Sequence, residues 1–225
     1  MTNKNIFVAC DISSQKEIID LIELIHEDIS GIKIGLQYIT QRSPAEIREL
    51  SKFKKPIFYD GKFFDIKNTL VESVKSLKSL NVNYATVHLL NGLDALKAAN
   101  QAAQEINLKL LGVSVLTSFS DKDLESLGFN SQVTEQVKRL IKIAVESNLF
   151  GVICSPLEIK MIKKIAPNLK CFTPGIRMKN EEDDQKRTMN ANEAIKEGSD
   201  CLIIGRPITK GDPKKNLKNI LSSID

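Results

Sequence analysis

Short apolar, β-branched runs alternate with amphipathic helical stretches along this chain, and the alternation recurs eight times. The candidate strands are residues 6–10, 31–35, 56–59, 84–88, 109–115, 151–154, 170–173 and 201–204. In the first intervening helix Ile18, Ile19, Ile22, Ile25 and Ile29 make an apolar stripe between charged residues, with Ser13 or Ser14 placed to cap it. Later helices are expected from about Pro44, Lys67, Leu93, Thr134, Pro156, Asn192 and Pro213, where proline or a polar capping residue marks the start. Strands that alternate with helices pair in parallel through right-handed crossovers, and eight units of about 25 residues are the minimal repeat of a closed barrel. The expected fold class is therefore α/β, a single (β/α)8 TIM barrel.

A doubly wound open sheet is the main competitor. It carries fewer strands and a glycine-rich first turn, whereas the first turn here reads Cys10-Asp11-Ile12-Ser13-Ser14, without a GxGxxG phosphate loop. No composition shift, Pro/Gly linker or low-complexity tract divides the 225 residues, so one domain over 1–225 is expected. Two connections, 117–133 and 174–192, are long and polar, and both follow strand carboxyl ends, where barrel active sites are built.

Composition narrows the function classes. With 42% hydrophobic and 27% charged residues the chain reads as an ordinary globular protein. Its formal net charge of +4 is spread without a basic block or aromatic interleaving, so no nucleic-acid footprint is evident, while the balance suits a small anionic ligand. Cys10, Cys154, Cys171 and Cys201 lie far apart in apolar runs, which favours buried free thiols over a metal site or disulfides. No apolar run reaches membrane-spanning length and the opening one is too short for a signal peptide, so a soluble protein of the cytoplasm is expected.

The informative feature is charge at strand ends: Asp11 after the first strand, Lys33 within the second, Asp60 and Lys62 after the third, and Asp65 just beyond. Taken singly, each has a plainer account as a solvated loop charge or structural ion pair. Lys33 is different, because it alternates with Ile32 and Ile34 and so points to the opposite face, into the barrel, where an ammonium needs an acidic partner. Asp60 and Lys62 fall on one side of an extended chain, close enough to pair. A lysine held this way stays protonated and can donate to a developing carbanion, while neighbouring carboxylates make the site hostile to a substrate carboxylate, an arrangement suited to decarboxylation.

A second constellation, Ile203-Ile204-Gly205-Arg206-Pro207, follows the eighth strand; glycine lets a phosphate approach the backbone and Arg206 offers a planar, always-charged fork. Arg177 and Gln185, in the connection after the seventh strand, are further candidate anion ligands. The acidic stretch 181–184 has no accompanying histidine and reads as a solvated loop rather than a metal site. His26 and His88 read as core or surface residues.

The segment Asp60-Gly61-Lys62-Phe63-Phe64-Asp65-Ile66-Lys67-Asn68-Thr69 resembles the DxKxxDIPNT signature of the orotidine 5'-phosphate decarboxylase family. Ala9-Cys10-Asp11, Lys33-Ile34-Gly35, Val115-Leu116-Thr117-Ser118, Thr173-Pro174-Gly175-Ile176-Arg177, Asp184-Gln185 and Ile204-Gly205-Arg206-Pro207 resemble the family's remaining motifs in order. The resemblance implies conversion of orotidine 5'-phosphate to UMP and carbon dioxide, the last step of de novo UMP synthesis, with no metal or organic cofactor. By matching position, Lys62 protonates C6 of the pyrimidine and Asp60 crowds the departing carboxylate. Lys33 joins the charge array and binds ribose hydroxyls, and Asp11 also holds the ribose. Asp65 and Thr69 match residues that enter the neighbouring subunit's site, which implies a homodimer with shared active sites; Ile66 between them is counted with the substrate-binding residues. Thr117 matches a position near the pyrimidine, and Arg177, Gln185, Gly205 and Arg206 match substrate and phosphate contacts.

Three features depart from the pattern: Lys67 replaces the signature proline, Phe64 stands where histidine is common, and 88–92 is less rich in small residues. The metal-dependent 3-keto-L-gulonate 6-phosphate decarboxylase and hexulose-phosphate synthase group shares the barrel and the DxKxxD spacing, but carries at position 33 a glutamate that helps hold Mg²⁺. Lys33 would repel that ion. From another class, a catalytically silent phosphate-binding barrel would keep the fold without the charges.

Overall fold

The computed structural model describes residues 5–177 and 187–224. Its strands are β1 (Ile6–Ala9), β2 (Gly31–Ile34), β3 (Ile57–Phe63), β4 (Tyr84–His88), β5 (Lys109–Val113), β6 (Gly151–Ile153), β7 (Lys170–Thr173) and β8 (Cys201–Ile204). All pair in parallel in chain order, and β8 returns to β1 to close an eight-stranded barrel. The helices are α1 (Gln15–Ile25), α2 (Leu36–Ile39), α3 (Pro44–Glu49), α4 (Lys67–Ser76), α5 (Leu93–Glu105), α6 (Asp121–Ser126), α7 (Val133–Glu146), α8 (Ile159–Ile165), α9 (Ala191–Lys196), α10 (Arg206–Thr209) and α11 (Pro213–Ser223). The (β/α)8 expectation is met.

Helix starts follow local chemistry. The Ser14 side chain accepts from Glu17 N and caps α1, Ser43 and Glu46 form a reciprocal capping box on α3 with Pro44 behind it, and Asp212 caps α11. In α1 the buried stripe is Ile18, Leu21, Ile22 and Ile25; Ile19 is only half-buried, because a period of 3.6 carries it off the face that Leu21 joins. The connection 117–133 is not structureless: α6 lies within it, and Asp121 Oδ1 accepts from Val133 N at 2.7 Å to cap α7. With only Leu124 buried, α6 has too little apolar periodicity to announce itself.

Two apolar layers result. The larger packs helices against the outer faces of the strands, and the smaller fills the barrel with Phe7, Ala9, Phe58, Leu111, Phe172, Cys201 and Ile203. Phe7 meets Tyr84 edge-on at 5.5 Å between ring centroids, and it presses so closely on β2 that a Cβ at Gly31 would stand 2.2 Å from its ring. Alternation along each strand then dictates what lies above this plug. Ala9 and Asp11 follow Phe7, Lys33 and Gly35 follow Gly31, and Asp60 follows Phe58, so the charged residues share the inward direction one layer nearer the carboxyl ends. All four cysteines are free and buried, as expected.

Candidate active site

At the carboxyl ends of the strands opens a cleft of about 800 Å³. Asp11, Lys33, Asp60 and Lys62 line one side, and Thr117, Arg177, Gly205 and Arg206 contribute elsewhere on its wall. The centre is Asp60, 4% exposed, whose Oδ2 receives both Lys33 Nζ at 2.9 Å and Lys62 Nζ at 2.8 Å. Lys33 also lies 3.8 Å from Asp11 Oδ1. Burial alone would raise the Asp60 carboxyl, but the two ammoniums outweigh it and bring it to about 2. For Lys33 burial pulls the ammonium down, and Asp60 with Asp11 more than compensate, leaving it above its ordinary value. Asp60 is thus an anion and Lys33 a cation through the neutral range.

Lys62 reaches Asp60 by a route that extended geometry does not supply. Strand β3 continues through Phe63, so Asp60 and Lys62 lie within it rather than after it, and its register with β4 shifts between Tyr59 and Phe63. Lys62 itself adopts φ +47, the left-handed region that costs a non-glycine residue roughly 1–2 kcal/mol. The backbone there is held by Thr86 on β4: Lys62 N donates to Thr86 Oγ1 at 2.8 Å, and Thr86 Oγ1 donates to Asp60 Oδ1 at 2.9 Å. Sequence reasoning missed Thr86, because an unremarkable threonine inside a strand carries no signal until the neighbouring strand is placed.

A second missed group is a partly buried ion pair at the rim. Arg187 Nη1 pairs with Glu158 Oε1, and Arg187 Nη2 donates to Leu116 O at 2.9 Å, so the chain after β7 is tied to the turns after β5 and β6. Arg177, the residue before 178–186, is buried, with Nη1 donating to Ile176 O at 2.8 Å. Arg206 is exposed to the cleft at the start of α10. Gln185 lies outside the described residues. His26 and His88 do not line the cleft.

Asp65, Ile66 and Thr69 are not brought into this cleft; all three are exposed, Ile66 at 75% with Phe64 beside it at 64%. Their backbone is nonetheless braced. Asn91 Nδ2 donates to Phe63 O and His88 O, and Asn91 Oδ1 accepts from Asp65 N at 3.1 Å. The departure at Lys67 leaves the helix start in place: α4 begins at Lys67, whose ammonium pairs with Asp94 at 2.8 Å.

Fold and site together define a (β/α)8 barrel enzyme that sets an alternating Lys–Asp charge array against an arginine-lined wall, built for an anionic substrate. Residues 4–220 match the profile of the Orotidine 5'-phosphate decarboxylase / HUMPS family, and the chain belongs to that family. It is 38% identical to orotidine 5'-phosphate decarboxylase of Wolbachia pipientis subsp. Culex pipiens over 97% of this chain and 98% of that one. The enzyme of the same name from Ehrlichia canis is 36% identical over 98% and 97%. Among solved structures, orotidine 5'-phosphate decarboxylase from Lactobacillus acidophilus superposes with a TM-score of 0.86 at 30% identity, covering 99% of this chain and 100% of that one.

Proposed function

We propose that this protein converts orotidine 5'-phosphate to UMP and carbon dioxide in pyrimidine biosynthesis, and that it acts in the cytoplasm. The observation that carries the reading is the single Asp60 carboxylate shared by two ammoniums at 2.8 and 2.9 Å in the floor of the cleft. The substrate carboxylate is placed against the Asp60 anion, which disfavours the ground state relative to a transition state that is losing carbon dioxide. As the C6–carboxylate bond breaks, its electron pair stays on C6 and Lys62 Nζ delivers a proton there; solvent then reprotonates Lys62. Lys33 orients Asp60 and, with Asp11, holds the ribose hydroxyls. Gly205, Arg206, Arg177 and Gln185 take the phosphate, and Thr117 faces the pyrimidine. Binding energy from the phosphate, remote from the reacting carbon, supports the chemical step.

The active unit is a homodimer in which Asp65, Ile66 and Thr69 of each chain complete the other's site. Support comes from their exposure beside the exposed Phe64, outside the lining of their own cleft, with the Asp65 backbone braced by Asn91. Against the metal-dependent relatives stands Lys33, whose ammonium lies 2.9 Å from Asp60 Oδ2 and would repel a divalent cation there.

Following the ultraviolet spectrum of orotidine 5'-phosphate with purified protein in excess EDTA tests substrate and metal independence together. Loss of the substrate spectrum is expected, and Lys62→Ala should lower turnover at least ~10²-fold with folding intact. Activity seen only on a sugar phosphate and only with Mg²⁺ would transfer the protein to the metal-dependent branch; inertness in both assays would leave a silent barrel.

A further inference from the structure

We propose that Thr86 is a positioning residue for the decarboxylation, its hydroxyl locking the Asp60 carboxylate and the left-handed Lys62 backbone into one geometry. This rests on the function proposed above. The Thr86 side chain is fully buried on β4, across the strand pair from the charge array. Its one hydroxyl serves in both directions, donating to Asp60 Oδ1 at 2.9 Å and accepting from Lys62 N at 2.8 Å. The two ammoniums use only Oδ2 of Asp60, so the hydroxyl is what fixes rotation of the carboxylate about its own axis. At Lys62 it replaces the ladder partner that the shift in β3–β4 register removes, and it stabilises a conformation that lysine avoids when unsupported. A small displacement here moves the proton donor relative to the reacting carbon, whereas Arg177, Gly205 and Arg206, proposed to hold the phosphate, follow β7 and β8 on the other side of the barrel.

Thr86→Val keeps the shape and removes both hydrogen bonds; Thr86→Ser keeps the hydroxyl. The expected result is a ~10- to 100-fold fall in kcat for Thr86→Val, with the dissociation constant for UMP within about 3-fold of wild type, and recovery in Thr86→Ser to within about 3-fold. If Thr86→Val does not fold, Thr86→Cys replaces it with the same expectation, since its thiol is a weak donor and acceptor. An independent readout is the ¹³C carboxyl titration of Asp60, which should move to higher pH in the Val or Cys variant because the anion loses a donor. A kcat within about 2-fold of wild type, an unmoved Asp60 titration, or a Ser variant as impaired as Val overturns the proposal. Inertness of the wild type on orotidine 5'-phosphate instead overturns the function on which it rests, and the titration then decides the Thr86 contact alone.

Discussion

The Asp60 carboxylate combines burial with two cationic partners, and its titration makes a stability statement. Its folded value of about 2 lies below the ordinary 3.8, so its contribution is complete above about pH 4 and is lost as the pH falls toward 2. That lowering corresponds to on the order of 2 kcal/mol. Urea unfolding from pH 5 to 2 should therefore show the stability gap between wild type and Asp60→Asn closing below pH 4; parallel curves would mean that the pairing contributes nothing to folding. At neutral pH Asp60→Asn leaves Lys33 and Lys62 facing each other without their shared anion, so it should abolish turnover as well as destabilise.

At the scale of an element, α4 starts at Lys67, the position where the family signature has proline. Lys67 is the first residue of the helix, where the backbone N–H has no intrahelical acceptor, and Ile66 before it sits at φ −59, ψ 151, the region that a following proline requires. Lys67→Pro should accordingly change stability by less than about 1 kcal/mol in thermal or urea unfolding, the lost Lys67–Asp94 pair being exposed and worth little. A larger loss would show that this ion pair, not the Asn91 brace at Asp65, holds the loop between β3 and α4.

For the whole molecule the decisive question is what completes the cleft. The exposed 64–69 segment carries residues for a neighbouring site in the proposed dimer, so Lys62→Ala and Asp65→Ala should each be nearly inactive alone and restore activity when mixed. Random exchange of subunits leaves half the dimers mixed, each with one intact site, giving roughly one quarter of wild-type activity. No recovery after verified subunit exchange would put Asp65 to work in its own chain or in no site. Dilution below the dimer dissociation constant should likewise lower specific activity.

The barrel was legible because its signals are local. Eight apolar runs, Ser13 or Ser14 as a cap and Pro44 and Pro213 at helix starts are each read from a few consecutive residues, and strand ends differ from expectation by a residue or two except at β3. That Lys33 faces away from Ile32 and Ile34 followed from strand periodicity, and the catalytic assignment rode on the 60–69 motif. What sequence could not show depends on strands meeting. The β3 bulge, the left-handed Lys62 and the Thr86 bridge arise between residues 24 to 26 positions apart, and the Arg187 clamp joins chain 70 positions away. Periodicity determines which face of an element is buried; only closure of the barrel determines which polar atoms meet at its mouth, since register and hydrogen-bond partners are properties of two strands and not of one.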